Sequence, residues 1–254
     1  MNKRVPLTFE QLVAPMLPEV FKNSVAGKKP MVIRATEFKK DFFGKIITWG
    51  QISDYVANDR AVAGLQMITP NREKLCMEKE NLFRGAKPAW SRKDRYEKKY
   101  VQEIWNSGGS MILTKASMLT PHISAIANAL ESEFKNTAAD AHFYCSPVKN
   151  AISFECHADG DDNYLIHAIG DVHWKVYNKF AQKGERRTMT DIEEKRLNPI
   201  IDTTLTVGDL IYIPEGMFHR ATPMSARVSI SVPLAKNALH PIDRNYYDFG
   251  KNNS

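Results

Sequence analysis

From Ala141 to Leu234 the chain reads as a succession of short strand-like segments cut by turn residues: AHFYC, AISFE, NYLIHAIG, HWKVYN, TLTVGD, LIYIP and RVSISVP. Many short strands at close spacing have to close on one another to protect their edges. They therefore predict a double-stranded β-helix, the jelly-roll core. The fold class is mainly β with an N-terminal α/β elaboration. Residues 1–140 are expected to supply helices and strands packing on the core, 141–234 the jelly roll and 235–254 a C-terminal tail, all one compact unit. No repeat, low-complexity tract or linker interrupts this.

Upstream of the core, Leu12, Val13, Met16, Leu17, Val20 and Phe21 follow helical spacing, which Pro15 and Pro18 break into short pieces. MVIR predicts a strand. Thr48 with Gln51 marks a capped helix start. Ala63 to Ile68 predicts a strand ended by Pro70-Asn71, and Ser110 to Thr114 another. Thr120-Pro121 opens a helix whose stripe is Ile123, Ile126, Ala127, Leu130 and Phe134, with His122 structural. The charged run RKDRYEKKY (Arg92 to Tyr100) is expected to be a solvated face; its alternative is a nucleic-acid-facing flap using Trp90, Arg92, Arg95, Tyr96 and Tyr100. Gly184 to Asn198 reads as an insert, helical within Met189 to Leu197, and Tyr246, Tyr247 and Phe249 as tail residues that dock back.

A net charge of +6 and a pI near 9.1 suit an acidic partner such as RNA, a ribosome or an anionic metabolite, and equally an inert basic surface. Cys76, Cys145 and Cys156 are odd in number and lack C-x-x-C spacing, so neither a disulfide framework nor a zinc module is predicted. They read as reduced cytoplasmic thiols, with Cys156 a small apolar filler. No apolar window approaches the roughly 18 residues of a membrane span, so a cytoplasmic protein without membrane contact is expected.

The chemistry concentrates in Ser153 to Tyr177, SFECHADGDDNYLIHAIGDVHWKVY. His157 and Asp159 stand two residues apart, on one face if the backbone is extended. A third ligand is expected from His219 in GDLIYIPEGMFHRA, carried by the loop that follows Pro214-Glu215-Gly216. Two histidines and one carboxylate on one side of an octahedral ion leave the opposite positions open, which suits iron(II) that must hold a cosubstrate and dioxygen together.

The succession Ser153-Phe154, His157, Asp159, Asp162, Gly170, Trp174, Gly208, Asp209, Tyr212, Pro214 and His219, followed by RVSISVPL, resembles the JmjC and cupin-like 2-oxoglutarate oxygenases. It is most similar to the ribosomal-oxygenase-type members, and KKPMVIR, FFGKIITWGQISDYV and HFYCSP extend the likeness through the N-terminal half. Such members commonly continue into a dimerisation region and a winged-helix domain, for which these 254 residues leave no room. The resemblance implies iron(II) held by His157, Asp159 and His219, with 2-oxoglutarate and dioxygen as reactants. The activity implied is hydroxylation of a protein side chain or small metabolite, coupled to conversion of 2-oxoglutarate to succinate. Its alternative is a non-oxidative metal-binding cupin, an isomerase or a ligand sensor.

The chain departs from that family at the cation for the distal carboxylate of 2-oxoglutarate. Gly170 is followed by Asp171 and Val172 where a lysine or arginine is expected, and alternation turns Lys175 to the other face from Trp174. Arg227 is the preferred replacement, with Ser229 adding a hydroxyl donor; the opposing expectation is a sheet-edge arginine. Tyr144 matches a family tyrosine near the cosubstrate pocket. His167, where relatives carry glutamine, either orients the cosubstrate or is a hydrogen-bonded core histidine. Asp162 and Asn163 are expected to order the loop after H-x-D or to line the mouth.

Overall fold

The computed structural model describes residues 5–57, 64–76, 98–117 and 119–236. Thr8 and Gln11 form a capping box on α1 (Phe9–Val13), and Pro18 opens α2 (Pro18–Ser24). The proline interruption is thus where the sequence places it. β1 (Met31–Ile33) leads to α3 (Glu37–Gly44), capped by Thr36, and to α4 (Trp49–Ala57), whose Thr48 and Gln51 again bond reciprocally. β2 (Gly64–Ile68), β3 (Lys74–Cys76), α5 (Lys98–Asn106) and β4 (Ser110–Thr114) precede α6 (Pro121–Glu133), which Thr120 caps. His122 packs edge-on against Phe42 at 4.9 Å.

The remaining strands are β5 (Thr137–Ala139), β6 (His142–Ser146), β7 (Cys156–Ala158), β8 (Asp162–Ile169) and β9 (Val172–Phe180). They continue as β10 (Thr188–Met189), β11 (Pro199–Leu205), β12 (Leu210–Ile213), β13 (Met217–Pro223) and β14 (Arg227–Lys236), with the short helix α7 (Asp191–Glu194) after β10. Among the described residues they pair antiparallel in two sheets. The larger runs β1-β12-β8-β14-β6-β4-β2-β3 with β5 beside β14; the smaller runs β10-β7-β13-β9-β11. This is the mainly β, jelly-roll fold expected, and the N-terminal strands β1, β2 and β4 extend the larger sheet.

Helices α1 to α3 and α6 contribute to an apolar layer on the outside of the larger sheet, including Phe9, Phe21, Phe43, Ile126 and Leu130 against Phe143, Tyr164 and Tyr212. Leu165, Val172, Trp174, Val176, Ile211 and Met217 fill part of the space between the sheets. Burying a side chain of this size is worth about 1.5–3 kcal/mol, so the inter-sheet layer fixes how the two sheets face each other.

Two segments differ from the sequence reading. Ala151 to Glu155 is not a strand: the Ile152 amide donates to the Gly108 carbonyl, and the Ile152 carbonyl accepts from the Ser110 hydroxyl (2.5 Å), off any ladder. His219 is not on a loop, because Gly216 turns the chain directly into β13, which pairs with both β7 and β9. Cys156 is buried with Ala158, Tyr177, Met189 and Phe218. Trp90, Arg92, Arg95 and Tyr96 of the charged run, and Tyr246, Tyr247 and Phe249 of the tail, lie outside the described residues. No helix among those described is long and apolar enough to cross a membrane.

Candidate metal centre

His157 sits at the middle of β7, Asp159 just beyond its end, and His219 on the neighbouring β13, directly opposite His157 in the ladder. One ligand atom from each lies within 4.8 Å of the others. Asp159 Oδ1 is 3.6 Å from His157 Nε2, and its Oδ2 is 3.5 Å from His219 Nε2. Ligand atoms about 2.0–2.2 Å from one ion stand roughly 3.0–3.5 Å apart, so these separations suit a shared ion better than a salt bridge.

Both imidazoles are oriented in the same way. His157 Nδ1 lies 2.8 Å from the Glu155 carbonyl and His219 Nδ1 lies 2.9 Å from the Met217 carbonyl. A carbonyl only accepts, so each Nδ1 carries the proton and each Nε2 presents a lone pair toward Asp159. Burial and the neighbouring His157 push His219 down to about 4, against the opposing pull of Asp159, so its ring is neutral near pH 7. Burial works to raise the Asp159 carboxyl, yet His219, His157 and the Asn163 amide (2.7 Å) outweigh it and hold it below the ordinary carboxylate value. A neutral imidazole at His219 beside a carboxylate anion at Asp159 is what a divalent cation takes.

These side chains open on a cavity between the sheets, lined by Trp174 and Ala221 from the smaller sheet and by Leu165, Arg227, Ser229 and Ser231 from the larger. Arg227, Ser229 and Ser231 alternate on the inner face of β14, which lies between β6 and β8 and is no sheet edge. Arg227 is 2% exposed, its Nε donates to Ser146 Oγ (3.1 Å), and its Nη2 stands 3.4 Å from Ser153 Oγ. Burial lowers it to about 10, so it stays charged near pH 7, and among the described residues no carboxylate pairs with it.

Tyr144 lines the same cavity, with its phenol pushed up by burial. Phe154, on the off-ladder segment, packs edge-on against Tyr144 (5.8 Å) and at a tilt against the His157 ring (5.4 Å). His167 is fully buried one layer back, between Trp174 Nε1 (3.0 Å) and Ser229 Oγ (3.1 Å). Asp162 orders the chain after H-x-D by accepting from the Glu215 amide (2.9 Å). Sequence reasoning did not single out Ser146 or Ser231, and named Ser153 only as the start of the family motif. For Ser231 the signal was present, as the next inward position after Arg227 and Ser229.

The JmjC domain family matches residues 113–241. This chain belongs to the JmjC family. The JmjC family is one of 2-oxoglutarate oxygenases. The chain is 23% identical over 199 residues to a bifunctional lysine-specific demethylase and histidyl-hydroxylase of Drosophila erecta, covering 77% of this chain and 28% of that protein. It is 20% identical over 230 residues to ribosomal oxygenase 1 of Danio rerio, covering 89% of this chain and 40% of that protein. Among solved structures it resembles Escherichia coli YcfD, a ribosomal oxygenase in complex with cobalt and 2-oxoglutarate. The TM-score is 0.59 at 15% identity, covering 91% of this chain and 53% of that one. The chain thus spans less than half the length of these curated relatives and about half of that structure.

Proposed function

We propose that this chain is an iron(II)- and 2-oxoglutarate-dependent hydroxylase of a protein side chain, with the metal held by His157, Asp159 and His219. The observation that carries this reading is the charged guanidinium of Arg227, buried with no carboxylate partner among the described residues in the same cavity as the two imidazoles and the carboxylate. Keeping an unpaired buried charge costs several kcal/mol, and an anionic ligand removes that cost. The distal carboxylate of 2-oxoglutarate is such a ligand, and relatives named as ribosomal oxygenases and histidyl-hydroxylases support a protein substrate.

When bound, iron(II) with 2-oxoglutarate and dioxygen supplies the oxidant. With them bound, one oxygen atom would enter succinate as carbon dioxide leaves, and the other would convert a substrate C–H to C–OH. The chain's own side chains do the rest. Arg227 and Ser229 hold the distal carboxylate, and the Glu155 and Met217 carbonyls keep both imidazole Nε2 atoms turned inward. Asn163 orients the Asp159 carboxylate, while Leu165, Trp174 and Ala221 keep water from the interior. Holding the reactants in one geometry gives an otherwise indiscriminate oxidant its selectivity.

The test is anaerobic absorption of the protein with iron(II), titrated with 2-oxoglutarate. The expected outcome is a visible charge-transfer band, absent in His219→Ala and requiring about 100-fold more cosubstrate in Arg227→Ala, the loss expected when a charge-assisted pair is removed. Admitting air is expected to yield succinate. Bound iron without a band in the wild type would overturn the reading in favour of a metal-binding cupin that oxidises nothing.

A further inference from the structure

The hydrogen bond between Trp174 and His167 can run in only one direction. An indole N–H donates and never accepts, so across the 3.0 Å contact His167 Nε2 is the acceptor. Burial holds His167 down to about 3, so the ring is neutral near pH 7. A neutral imidazole that accepts at Nε2 carries its proton at Nδ1, and that nitrogen lies 3.1 Å from Ser229 Oγ. The serine oxygen is therefore the acceptor there, and its own proton has to go elsewhere. Ser229 is 1% exposed and lines the cavity, and its hydroxyl has no other partner among the described residues.

We infer that His167 is a positioning residue: with its tautomer set by Trp174, it fixes the Ser229 hydroxyl as a donor aimed into the cavity beside Arg227. The inference rests on the cosubstrate reading above and adds to it a rule about the ligand. The neighbouring serines show the contrast. Ser231 donates to Asn163 Oδ1 (2.9 Å), and the Asn163 amide donates to Asp159 (2.7 Å), so the proton of Ser231 is used on the metal side. Ser110 donates to the Ile152 carbonyl (2.5 Å), so Ser146 donates to Ser110 (2.9 Å) and accepts from Arg227 Nε. What remains at the Arg227 end of the cavity is the rest of the guanidinium, the Ser229 hydroxyl and the Ser153 hydroxyl, which accepts from Arg227 Nη2 and so has its own proton to give. Their complement is a group that only accepts, a carboxylate. A primary amide of the same shape would bring N–H groups against N–H and O–H.

The experiment is calorimetric titration of manganese(II)-loaded protein with 2-oxoglutarate and with its 5-amide. NMR of nitrogen-labelled, metal-free wild type reads the His167 tautomer directly. In the wild type the amide is expected to bind at least tenfold more weakly than the acid. Ser229→Ala is expected to weaken 2-oxoglutarate about tenfold and to narrow that preference. His167→Gln, whose amide oxygen can still serve Trp174 but offers no donor at the Nδ1 place, is expected to match Ser229→Ala. The double variant is expected to be no weaker than either single one. His167→Asn, which restores a donor near Nδ1, is expected to recover most of the affinity. A purely structural histidine would instead give losses that add. Additive losses, an unaltered His167→Gln, or an Nε2-protonated ring in the wild type would each overturn the inference. A wild type that binds neither compound would overturn the cosubstrate reading, while the NMR tautomer would still decide the direction of the relay.

Discussion

Gly170 shows how closely a single residue can be tied to the candidate site. Its φ is +69°, and a Cβ placed there would meet the Ala226 carbonyl oxygen at 2.1 Å. Neither the conformation nor the space admits a side chain. Ala226 immediately precedes Arg227, so relief has to come from moving the first turn of backbone into β14. Gly170→Ala is expected to cost about 2–4 kcal/mol in urea unfolding and to weaken 2-oxoglutarate in calorimetry, although the glycine touches no ligand. At this scale the sequence was informative wherever one residue type admits one chemistry. The spacing of His157 and Asp159 and the Arg227-x-Ser229 pair could be read directly. The direction of the His167 bonds could not, because it follows from a tryptophan on another strand in the opposite sheet.

Among the elements, β13 was hidden and the Ala151 to Glu155 segment was misleading, for related reasons. In β13 an irregularity between Met217 and His219 buries Met217, Phe218 and His219 in succession, which erases the period of two that marks a strand. In Ala151 to Glu155, Ile152 bonds to Gly108 and Ser110 while Ser153 and Phe154 line the cavity, so the segment's strand-like composition finds no ladder. The insert between β9 and β11 is also more than a connection. β10 pairs with β7 opposite His157, Arg187 donates to the Asp159 carbonyl (2.6 Å), and Glu194 of α7 accepts from Tyr177 (2.6 Å) and from Arg220, the residue after His219. Glu194→Ala leaves the Tyr177 hydroxyl without its partner and Arg220 with Asp191 alone. The expected result is a loss of about 1–3 kcal/mol in urea unfolding, together with weaker manganese(II) binding by calorimetry.

For the whole molecule, a neutral histidine buried at the heart of the larger sheet makes stability depend on pH in a defined direction. In the unfolded chain His167 takes up a proton near the ordinary 6.5, whereas in the fold it resists until about 3. Between those values the unfolded state binds more protons, so stability rises with pH through that window and is fully present above it. For this one group the loss is roughly 2 kcal/mol on going from pH 7 to pH 5. The unfolding free energy from urea titration of metal-free protein is expected to fall further between the two pH values for the wild type than for His167→Gln, by about that amount. The mainly β, two-sheet architecture was legible in the sequence because turn residues and alternation are local. Less legible was the way β1, β2 and β4 extend the larger sheet beyond the core, since that pairing joins residues far apart along the chain.

The position of β14 carries a last consequence. Arg227, Ser229 and Ser231 follow one another on its inner face, each step about 6.8 Å along the backbone, and ladders to β6 and β8 clamp the strand on both sides. A slip of one residue would turn all three side chains out of the cavity. The strand therefore acts as a gauge of fixed pitch. On the proposed cosubstrate reading, a keto diacid one carbon shorter or longer than 2-oxoglutarate would meet graduations that cannot slide to receive it, and selection by length would be built into the sheet itself.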